Sequence, residues 1–320
     1  MISEHDFKFK QIVFLFASNG EKLSFSNDNI VVKDANGKII HQSTCYRLFL
    51  LFVIGDITIT SGLIKRAKRF GFTICLMITT MRVYQIIGAG MEGNTLLHQK
   101  QYSYDKLDLG IRLIQNKLLN QRAVLSSIRN KTEHDKILIK SIDEHIHKLS
   151  EGIDSLSFLL GLEGSVARMY FSRLFDVPEW KGRKPRIKSD YINSTLDIGY
   201  TIMSQIIEAL LRVYGFDVYV GVLHRSFYMR KSLVCDILEP CRPLIDKCVR
   251  KAIHLGQCKI EDFEVQNGQY RLAWKNSPAY ISFIINSIMP YKNDLFIYIR
   301  DYYRAFMRGK RAEEFPLFCI

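Results

Sequence analysis

The spacing of apolar residues changes near residue 95, and the change predicts two regions of different secondary structure. Before it, apolar residues form short runs separated by turn signals such as Asn19-Gly20 and Asn36-Gly37, a pattern typical of β-hairpins. One segment instead has helical spacing after a capping residue at Thr60 or Ser61. We therefore expect a helix over residues 61–70 and strands over 11–17, 30–33, 38–41, 46–54, 72–78 and 83–87.

After residue 100, apolar positions recur at steps of three and four, which is the period of a helix with one buried face. Leu107, Ile111 and Ile114 begin this pattern. Further helices are predicted over residues 155–175, 191–214, 232–255 and 293–307. The predicted fold class is α+β, with a small N-terminal mostly-β domain over residues 1–95 followed by a larger all-α domain over residues 96–320.

The composition is that of a globular protein, with 48% apolar and 24% charged residues. The longest apolar run, Leu48 to Ile54, is far shorter than the ~18 residues that span a membrane. The opening residues show no signal-peptide pattern. We therefore expect a cytoplasmic protein with no membrane partner.

Lys and Arg number 45 against 32 Asp and Glu, a formal net charge of +13. Such an excess favours a polyanionic partner, with nucleic acid ahead of an acidic membrane surface. The seven cysteines include no C-x-x-C pair, so a disulfide framework is not expected. A zinc site built from Cys241, Cys248 and His254 is conceivable but disfavoured.

Two motifs carry little weight. The glycines Gly88, Gly90 and Gly93 match the dinucleotide fingerprint G-x-G-x-x-G, but the following residues lead into helices rather than a parallel βαβ unit. His145 and His147 lie two positions apart, so on a helix they point in nearly opposite directions and are poorly placed to share a metal. A glycine-rich exit from the β domain and a solvated charged face account for these segments.

Three separated pieces offer candidate chemistry. Glu163 lies between glycines within an apolar helical stretch, and His224 ends the segment Gly221 to His224. Asp236 and Glu239 are three residues apart, so they project from one helical face. Taken singly, each has an ordinary alternative, namely an exposed glutamate, a structural histidine and a solvated acidic pair.

Together the pieces resemble the CRISPR adaptation integrase, the universal CRISPR-associated protein that inserts new spacers into the array. Leu162 to Tyr170 reads L-E-G-x-x-A-R-x-Y, Gly221 to His224 reads G-x-L-H, and Ser232 to Pro243 reads S-L-V-x-D-x-x-E-P-x-R-P. Asp190 to Tyr200 matches the family's D-x-x-N-x-x-L-x-x-G-Y stretch. The chain departs from the family at Cys241, where an aromatic residue is common, and in a less arginine-rich loop over residues 175–190.

The resemblance implies a divalent metal site made by Glu163, His224 and Glu239, with Asp236 as an acidic helper in catalysis. Two carboxylates and one imidazole suit Mg²⁺ or Mn²⁺ and leave positions for phosphate oxygens and water. The implied reaction is transesterification, in which a 3′-hydroxyl of a DNA fragment attacks a phosphodiester at the edge of a repeat. With water as the attacking group, the same site is an endonuclease.

Basic residues surround these motifs, and five of the eight residues from Lys181 to Lys188 are basic. A phosphate-contacting loop is the functional interpretation, and a solvated loop is the alternative. The DNA-binding candidates are Arg168, Arg173, Lys181, Arg183, Lys184, Arg186, Lys188 and Arg242.

The resemblance also implies partners: double-stranded DNA as spacer fragment and CRISPR repeat, a homodimer formed through the β domains, and the small second CRISPR adaptation protein. Two other functions stay open from the residues alone. One is a non-catalytic basic scaffold for nucleic acid, and the other is a structure-specific nuclease on branched repair intermediates.

Overall fold

The computed structural model describes residues 3–17, 20–88, 90, 93–224 and 227–320, which separate into two units. The first combines Met1–Asn94 with Glu208–Phe216, and the second combines Thr95–Ile207 with Asp217–Ile320. The division after residue 94 lies beside the predicted boundary at 95. The inclusion of Glu208–Phe216 in the first unit has no signal in the sequence.

The first unit is rich in strands. In chain order its elements are α1 (Glu4–Lys8), β1 (Gln11–Ala17), β2 (Lys22–Ser26), β3 (Asn29–Lys33), β4 (Ile39–Thr44), β5 (Leu48–Gly55), α2 (Ser61–Phe70), β6 (Thr73–Met77) and β7 (Val83–Gly88). Four strands form a sheet in the order β1-β5-β6-β7, and the other three form an antiparallel sheet in the order β2-β3-β4. The predicted strands and the helix over residues 61–70 are confirmed.

Strand β5 is the centre of the larger sheet, and every one of its residues is buried. It pairs in parallel with β1 and β6, which explains its continuous apolar sequence, since a strand covered on both faces needs no polar alternation. Strand β7 instead runs antiparallel to β6. Gly88 therefore does not end a strand of a parallel βαβ unit, and residues 89, 91 and 92 of the glycine motif lie outside the described residues.

Turn residues explain the smaller sheet. The predicted turn at Asn36-Gly37 joins β3 to β4, and Gly37 has a φ of 82°, a conformation that glycine adopts without steric cost. The other predicted turn includes Asn19, which lies outside the described residues.

The second unit is mainly helical. Its elements are α3 (Thr95–Tyr102), α4 (Asp108–Ser126), α5 (Glu133–Ser150), α6 (Leu156–Leu174), α7 (Tyr191–Val213), α8 (Ser232–Leu238), α9 (Arg242–His254), β8 (Phe263–Gln266), β9 (Gln269–Leu272), α10 (Ser277–Ile288) and α11 (Lys292–Met307). The last residues of α7 belong to the first unit. In the part of the chain that is described, no helix has both the length and the apolarity needed to cross a bilayer.

The structure differs from the sequence prediction at several places in this unit, and helix α10 was not predicted. The helix predicted over residues 232–255 is divided into α8, a 3₁₀ turn at Glu239–Cys241, and α9. Pro240 and Pro243 lack the N–H that a continuous α-helix needs, and each is the second residue of a new helical segment instead. A hairpin, β8–β9, was also missed, although Asn267-Gly268 is a strong hairpin signal and both residues have positive φ.

A close approach of α7 to α9 gives a test of this packing. A Cβ at Gly199 would lie 2.4 Å from Cγ2 of buried Ile245. We expect Gly199→Ala to destabilise the protein by about 1–3 kcal/mol, because the β-branched side chain has no room to withdraw. Urea unfolding measures the change. Gly161→Ala is the control, since its Cβ meets nothing within 4 Å, and it should instead stabilise α6 by about 0.5–1 kcal/mol. Equal effects would contradict the packing.

Candidate metal centre and nucleic-acid interface

Helix α4 carries polar side chains on its buried face. Asn116 accepts a hydrogen bond from the Phe318 N–H and donates one to the Phe318 carbonyl, both at 2.8 Å. Asn120 donates to the same carbonyl and to that of Pro240, again at 2.8 Å. These bonds fix the C-terminal residues and the 3₁₀ turn at Glu239–Cys241 to α4.

The side chain between these asparagines, Lys117, lies between two acidic residues. Its ammonium donates a hydrogen bond to Oε2 of Glu239 at 2.6 Å and a short one to Oε1 of Glu163. Lys117 is 9% exposed, Glu239 is 8% exposed and Glu163 is 22% exposed. The structure therefore brings together two of the predicted metal ligands, from α6 and from the 3₁₀ turn, around one cation.

Electrostatics keep Lys117 and Glu239 ionised although both side chains are buried. Burial opposes the charge on Lys117, but the carboxylates of Glu239 and Glu163 outweigh burial and raise the Lys117 pKa. Burial likewise opposes the charge on Glu239, but Arg242 and Lys117 lower its pKa to about 2. Arg242 Nε donates to Oε1 of Glu239 at 2.9 Å, so the two oxygens of Glu239 contact different cations.

His224 and Asp236 form the other half of the site. Both Nδ1 and the backbone N–H of His224 contact Oδ1 of Asp236, at 2.6 and 2.9 Å. The backbone N–H groups of Val222 and Leu223 donate to Oδ2, at 2.6 and 3.0 Å. Fully buried Asp236 thus uses both oxygens to hold the segment that ends at His224, and it acts on the imidazole rather than facing an ion.

Gly221 is required for this arrangement. A Cβ at this position would lie 2.5 Å from Oδ2 of Asp236 and 2.9 Å from the backbone of Ser232. No larger residue permits Asp236 to reach the two backbone N–H groups that follow. The absence of a side chain at Gly221 therefore allows Asp236 to hold His224 in place.

The donor chemistry fits a divalent cation. Glu163 and Glu239 already converge on a positive charge, and with Nδ1 directed at Asp236, Nε2 of His224 is the ring nitrogen left to bind a metal. His224 is close enough to contribute to the lowered pKa of Glu239. Within the described residues, however, no three His, Cys, Asp or Glu side chains are grouped closely enough to hold an ion.

The disfavoured zinc site has a structural alternative. The thiols of Cys241 and Cys248 are both buried, and they contact the backbone carbonyls of Ile237 and Phe283. Burial raises the pKa of Cys241 above its usual range and that of Cys248 to about 11. Both therefore stay as uncharged thiols in the core.

Behind Glu239, a buried polar chain supports Arg242. The Arg242 guanidinium carbon lies 4.7 Å from the centre of the Tyr200 ring, and the Tyr200 hydroxyl donates a short hydrogen bond to Asp246. Burial raises the pKa of Asp246 to about 6, although Tyr200 and nearby arginines favour its charged form. Tyr200 and Asp246 thus restrict Arg242 to a position from which it reaches Glu239.

The structure sorts the predicted DNA-binding residues by what they contact. Arg173 is paired with buried Asp135, Arg183 contacts Asn193 and Asp197, and Arg242 contacts Glu239. Burial lowers the pKa of half-buried Lys188. The exposed candidates are Arg168, Lys181, Lys184 and Arg186.

The histidine pair set aside above is separated as its spacing indicated. His147 lies on the surface, with Nε2 3.6 Å from Glu151, whereas Nδ1 of His145 contacts the Ser141 carbonyl at 2.7 Å.

Sequence reasoning did not identify Lys117. A usable signal was present, since Asn116, Lys117, Asn120 and Gln121 are polar residues within the apolar pattern of α4, and all four are buried. A charged residue on the core side of a helix needs a partner of opposite charge. The acidic motifs elsewhere in the chain were the candidates for that partner.

Comparison with known sequences identifies the relatives of this chain. The model of the family described as CRISPR associated protein Cas1 matches residues 14–283. The CRISPR-associated endonuclease Cas1 1 of Thermodesulfovibrio yellowstonii is 28% identical over 236 residues, covering 68% of this chain and 73% of the relative. The CRISPR-associated endonuclease Cas1 1 of Archaeoglobus fulgidus is 26% identical over 333 residues, covering 92% of this chain and 96% of the relative.

Solved structures show the same fold. A chain of a Cas6-RT-Cas1–Cas2 complex superposes with a TM-score of 0.80 at 21% identity; the match covers 97% of this chain but 36% of that longer one. A casposase bound to integration product superposes with a TM-score of 0.77 at 18% identity, covering 94% of this chain and 92% of the casposase.

The role of Asp236 can be tested with Asp236→Asn. An amide presents N–H groups where the segment from Val222 to His224 offers donors, so we expect misplacement of His224. Mn²⁺ affinity should fall by about 10–100-fold, with a loss of about 1–3 kcal/mol of stability. Calorimetric titration and urea unfolding measure the two effects. Exposed Asp154→Asn is the matched control, and an Asp236→Asn protein indistinguishable from it would contradict this role.

The pairing of Arg173 with Asp135 predicts a pH dependence. The hydrogen bond from Arg173 lowers the pKa of Asp135 to about 2, so the pair stabilises the fold above the ordinary carboxyl range and loses this effect as the pH falls toward 2. We expect Arg173→Gln to cost about 3 kcal/mol at pH 7 and progressively less below pH ~4. Urea unfolding across this pH range measures it.

Arg168→Gln is the control for this prediction, because Arg168 lies on the same helix but is exposed. Its effect on stability should stay within about 0.5 kcal/mol at every pH. A pH-independent loss in Arg173→Gln would show that the ion pair does not stabilise the fold.

Proposed function

The chain belongs to the Cas1 family of CRISPR-associated endonucleases, and from this premise we propose that it inserts spacer DNA into a CRISPR array by metal-dependent 3′-hydroxyl transesterification. The observation that carries the proposal is the convergence of Glu163 and Glu239 on one cation, together with the His224 imidazole held by Asp236. The structural likeness to a casposase bound to integration product supports the same reaction class.

Glu163, Glu239 and Nε2 of His224 would hold Mg²⁺ or Mn²⁺. When bound there, such an ion polarises a phosphodiester and stabilises charge on the attacking or leaving oxygen. The carboxylate oxygens suit a hard cation, and the low pKa of Glu239 keeps this ligand ionised throughout the neutral range.

The other residues of the site act on these ligands. Asp236 fixes the imidazole, since Nδ1 contacts its Oδ1 at 2.6 Å and Nε2 on the other side of the ring is therefore directed away from this carboxylate. Arg242 holds the second oxygen of Glu239, and the Tyr200 ring restricts Arg242. We therefore assign Asp236 and Arg242 as positioning residues.

DNA contact is proposed for Arg168, Lys181, Lys184 and Arg186. All four are exposed, and Arg168 lies on α6, the helix that carries Glu163. Lysine and arginine side chains at the surface bind phosphates without reading sequence, which suits a protein that accepts varied spacers.

We further infer an assembly with double-stranded DNA, a second copy of the chain through the β-rich unit, and the small second adaptation protein. The support is the family membership and the Cas1–Cas2 complex that contains a structural neighbour. The spacer fragment and the repeat are the DNA substrates in this proposal.

The deciding experiment combines purified protein with a short duplex bearing 3′-hydroxyl ends and a supercoiled plasmid carrying a repeat. With Mn²⁺, we expect the duplex to be joined to the plasmid, and EDTA should prevent joining. His224→Ala and Glu239→Gln should abolish joining and keep DNA affinity, because the proposed phosphate contacts lie elsewhere. Gel analysis of the plasmid and fluorescence anisotropy provide the two readouts.

His147→Ala is the matched control, since His147 is an exposed histidine outside the site. It should join DNA as the wild type does. If the His224→Ala protein still joins the duplex to the plasmid, the site assignment is contradicted. Binding without joining, even after the small partner is added, indicates the scaffold function, and cleavage alone indicates the nuclease.

A further inference from the structure

The cation between the two glutamates is a side chain of the protein itself. Lys117 Nζ lies 2.6 Å from Oε2 of Glu239 and in short contact with Oε1 of Glu163. It reaches this position from α4, which Asn120 fixes to the carbonyl of Pro240, directly after Glu239. The ammonium is therefore a built part of the site, held beside both carboxylates.

The local charges balance without a metal. Glu163 and Glu239 each contribute one negative charge, and Lys117 and Arg242 each contribute one positive charge. A divalent ion bound there would add two positive charges to these four side chains, and the buried carboxylate of Asp236 would offset only one of them, which is unfavourable. Both oxygens of Glu239 already contact cations, Oε2 with Lys117 and Oε1 with Arg242, so an ion that binds Glu239 competes with one of them.

We propose that Lys117 is the resident counter-cation of the metal-free site, and that a divalent ion binds by displacing its ammonium from Glu163 and Glu239. Lys117 then serves two purposes. It keeps two like charges together before the metal arrives, and it sets the metal affinity by competing for the same oxygens. This inference rests on the proposed function, because it assumes that these glutamates are metal ligands.

An alternative role for Lys117 predicts the opposite result. If the lysine only positions the carboxylates for the metal, its removal lowers metal affinity. If it competes with the metal, its removal raises metal affinity while the metal-free protein becomes less stable. The sign of the change in affinity therefore separates the two roles.

The test compares the wild type with Lys117→Met, which keeps the length and apolar volume of the side chain and removes the charge. Calorimetric titration with Mn²⁺ should show affinity raised at least about tenfold, because a positive charge close to the ion is gone. The melting temperature without metal should be lower than that of the wild type. The rise in melting temperature on addition of Mn²⁺ should be larger.

Two controls accompany this variant. Lys117→Arg keeps the charge, so its Mn²⁺ affinity should not rise. Lys136→Met removes an exposed lysine that is paired with Glu133, and it should change neither affinity nor melting temperature appreciably. A rise in affinity in either control would overturn the assignment of the effect to the Lys117 charge.

Lys117→Met leaves the two carboxylates without their shared cation and can therefore impair folding. A second variant tests whether this charge imbalance is the cause. Combining Lys117→Met with Glu163→Gln restores the charge balance, because Glu239 then faces Arg242 alone. Without metal, this double variant should melt at a higher temperature than Lys117→Met. A melting temperature that is no higher overturns the counter-cation role, as does a Lys117→Met protein that Mn²⁺ fails to stabilise.

The outcomes separate this inference from the proposed function. If the wild type binds Mn²⁺ and Lys117→Met binds it equally or more weakly, only the inference fails. If neither protein binds Mn²⁺, the metal site of the proposed function fails as well. Tighter binding by Lys117→Met supports both.

Discussion

The contact of the Lys117 ammonium with Glu163 and Glu239 is the interaction on which the arrangement of the helical unit depends. Two carboxylates buried side by side repel one another and are poorly solvated, so a cation must lie between them or one must take up a proton. Here α4 supplies that cation, α6 supplies one carboxylate, and the 3₁₀ turn before α9 supplies the other. The hydrogen bonds of Asn120 hold α4 to this turn.

The 3₁₀ turn between α8 and α9 determines the surroundings of Asp236 and Glu239. A continuous helix would present Asp236 and Glu239 on one face with similar surroundings. Pro240 ends the regular helix, and the two acids acquire different roles. Asp236 receives hydrogen bonds from the segment ending at His224, whereas Glu239 lies between Lys117 and Arg242. The proline that interrupts the predicted helix therefore places the two acids in different surroundings.

Features specified by neighbouring residues were predictable from the sequence. The helix over residues 61–70 has both bounds as predicted, because Thr60 precedes it in an extended conformation and Gly71 ends it with a φ of 72°. Glu163, His224, Asp236 and Glu239 could be named as candidates because they lie in recognisable motifs. Lys117 lies in no such motif, and it is 46 residues from Glu163 and 122 from Glu239 in sequence. Its role depends on tertiary packing, which periodicity does not reveal.

Tertiary packing also decides which basic residues are paired inside the protein, and the sequence pattern does not show it. Net charge therefore does not tell which residues can bind phosphate. A formal charge of +13 belongs to the whole chain, whereas a phosphate binds a cation that no carboxylate has already neutralised. Asp135 lies 38 residues before Arg173, so sequence proximity to the motifs could not show that this arginine is paired inside the protein. Arg168, five residues earlier on the same helix, is exposed. Five positions along α6 thus separate an arginine that is paired inside the protein from one that is exposed.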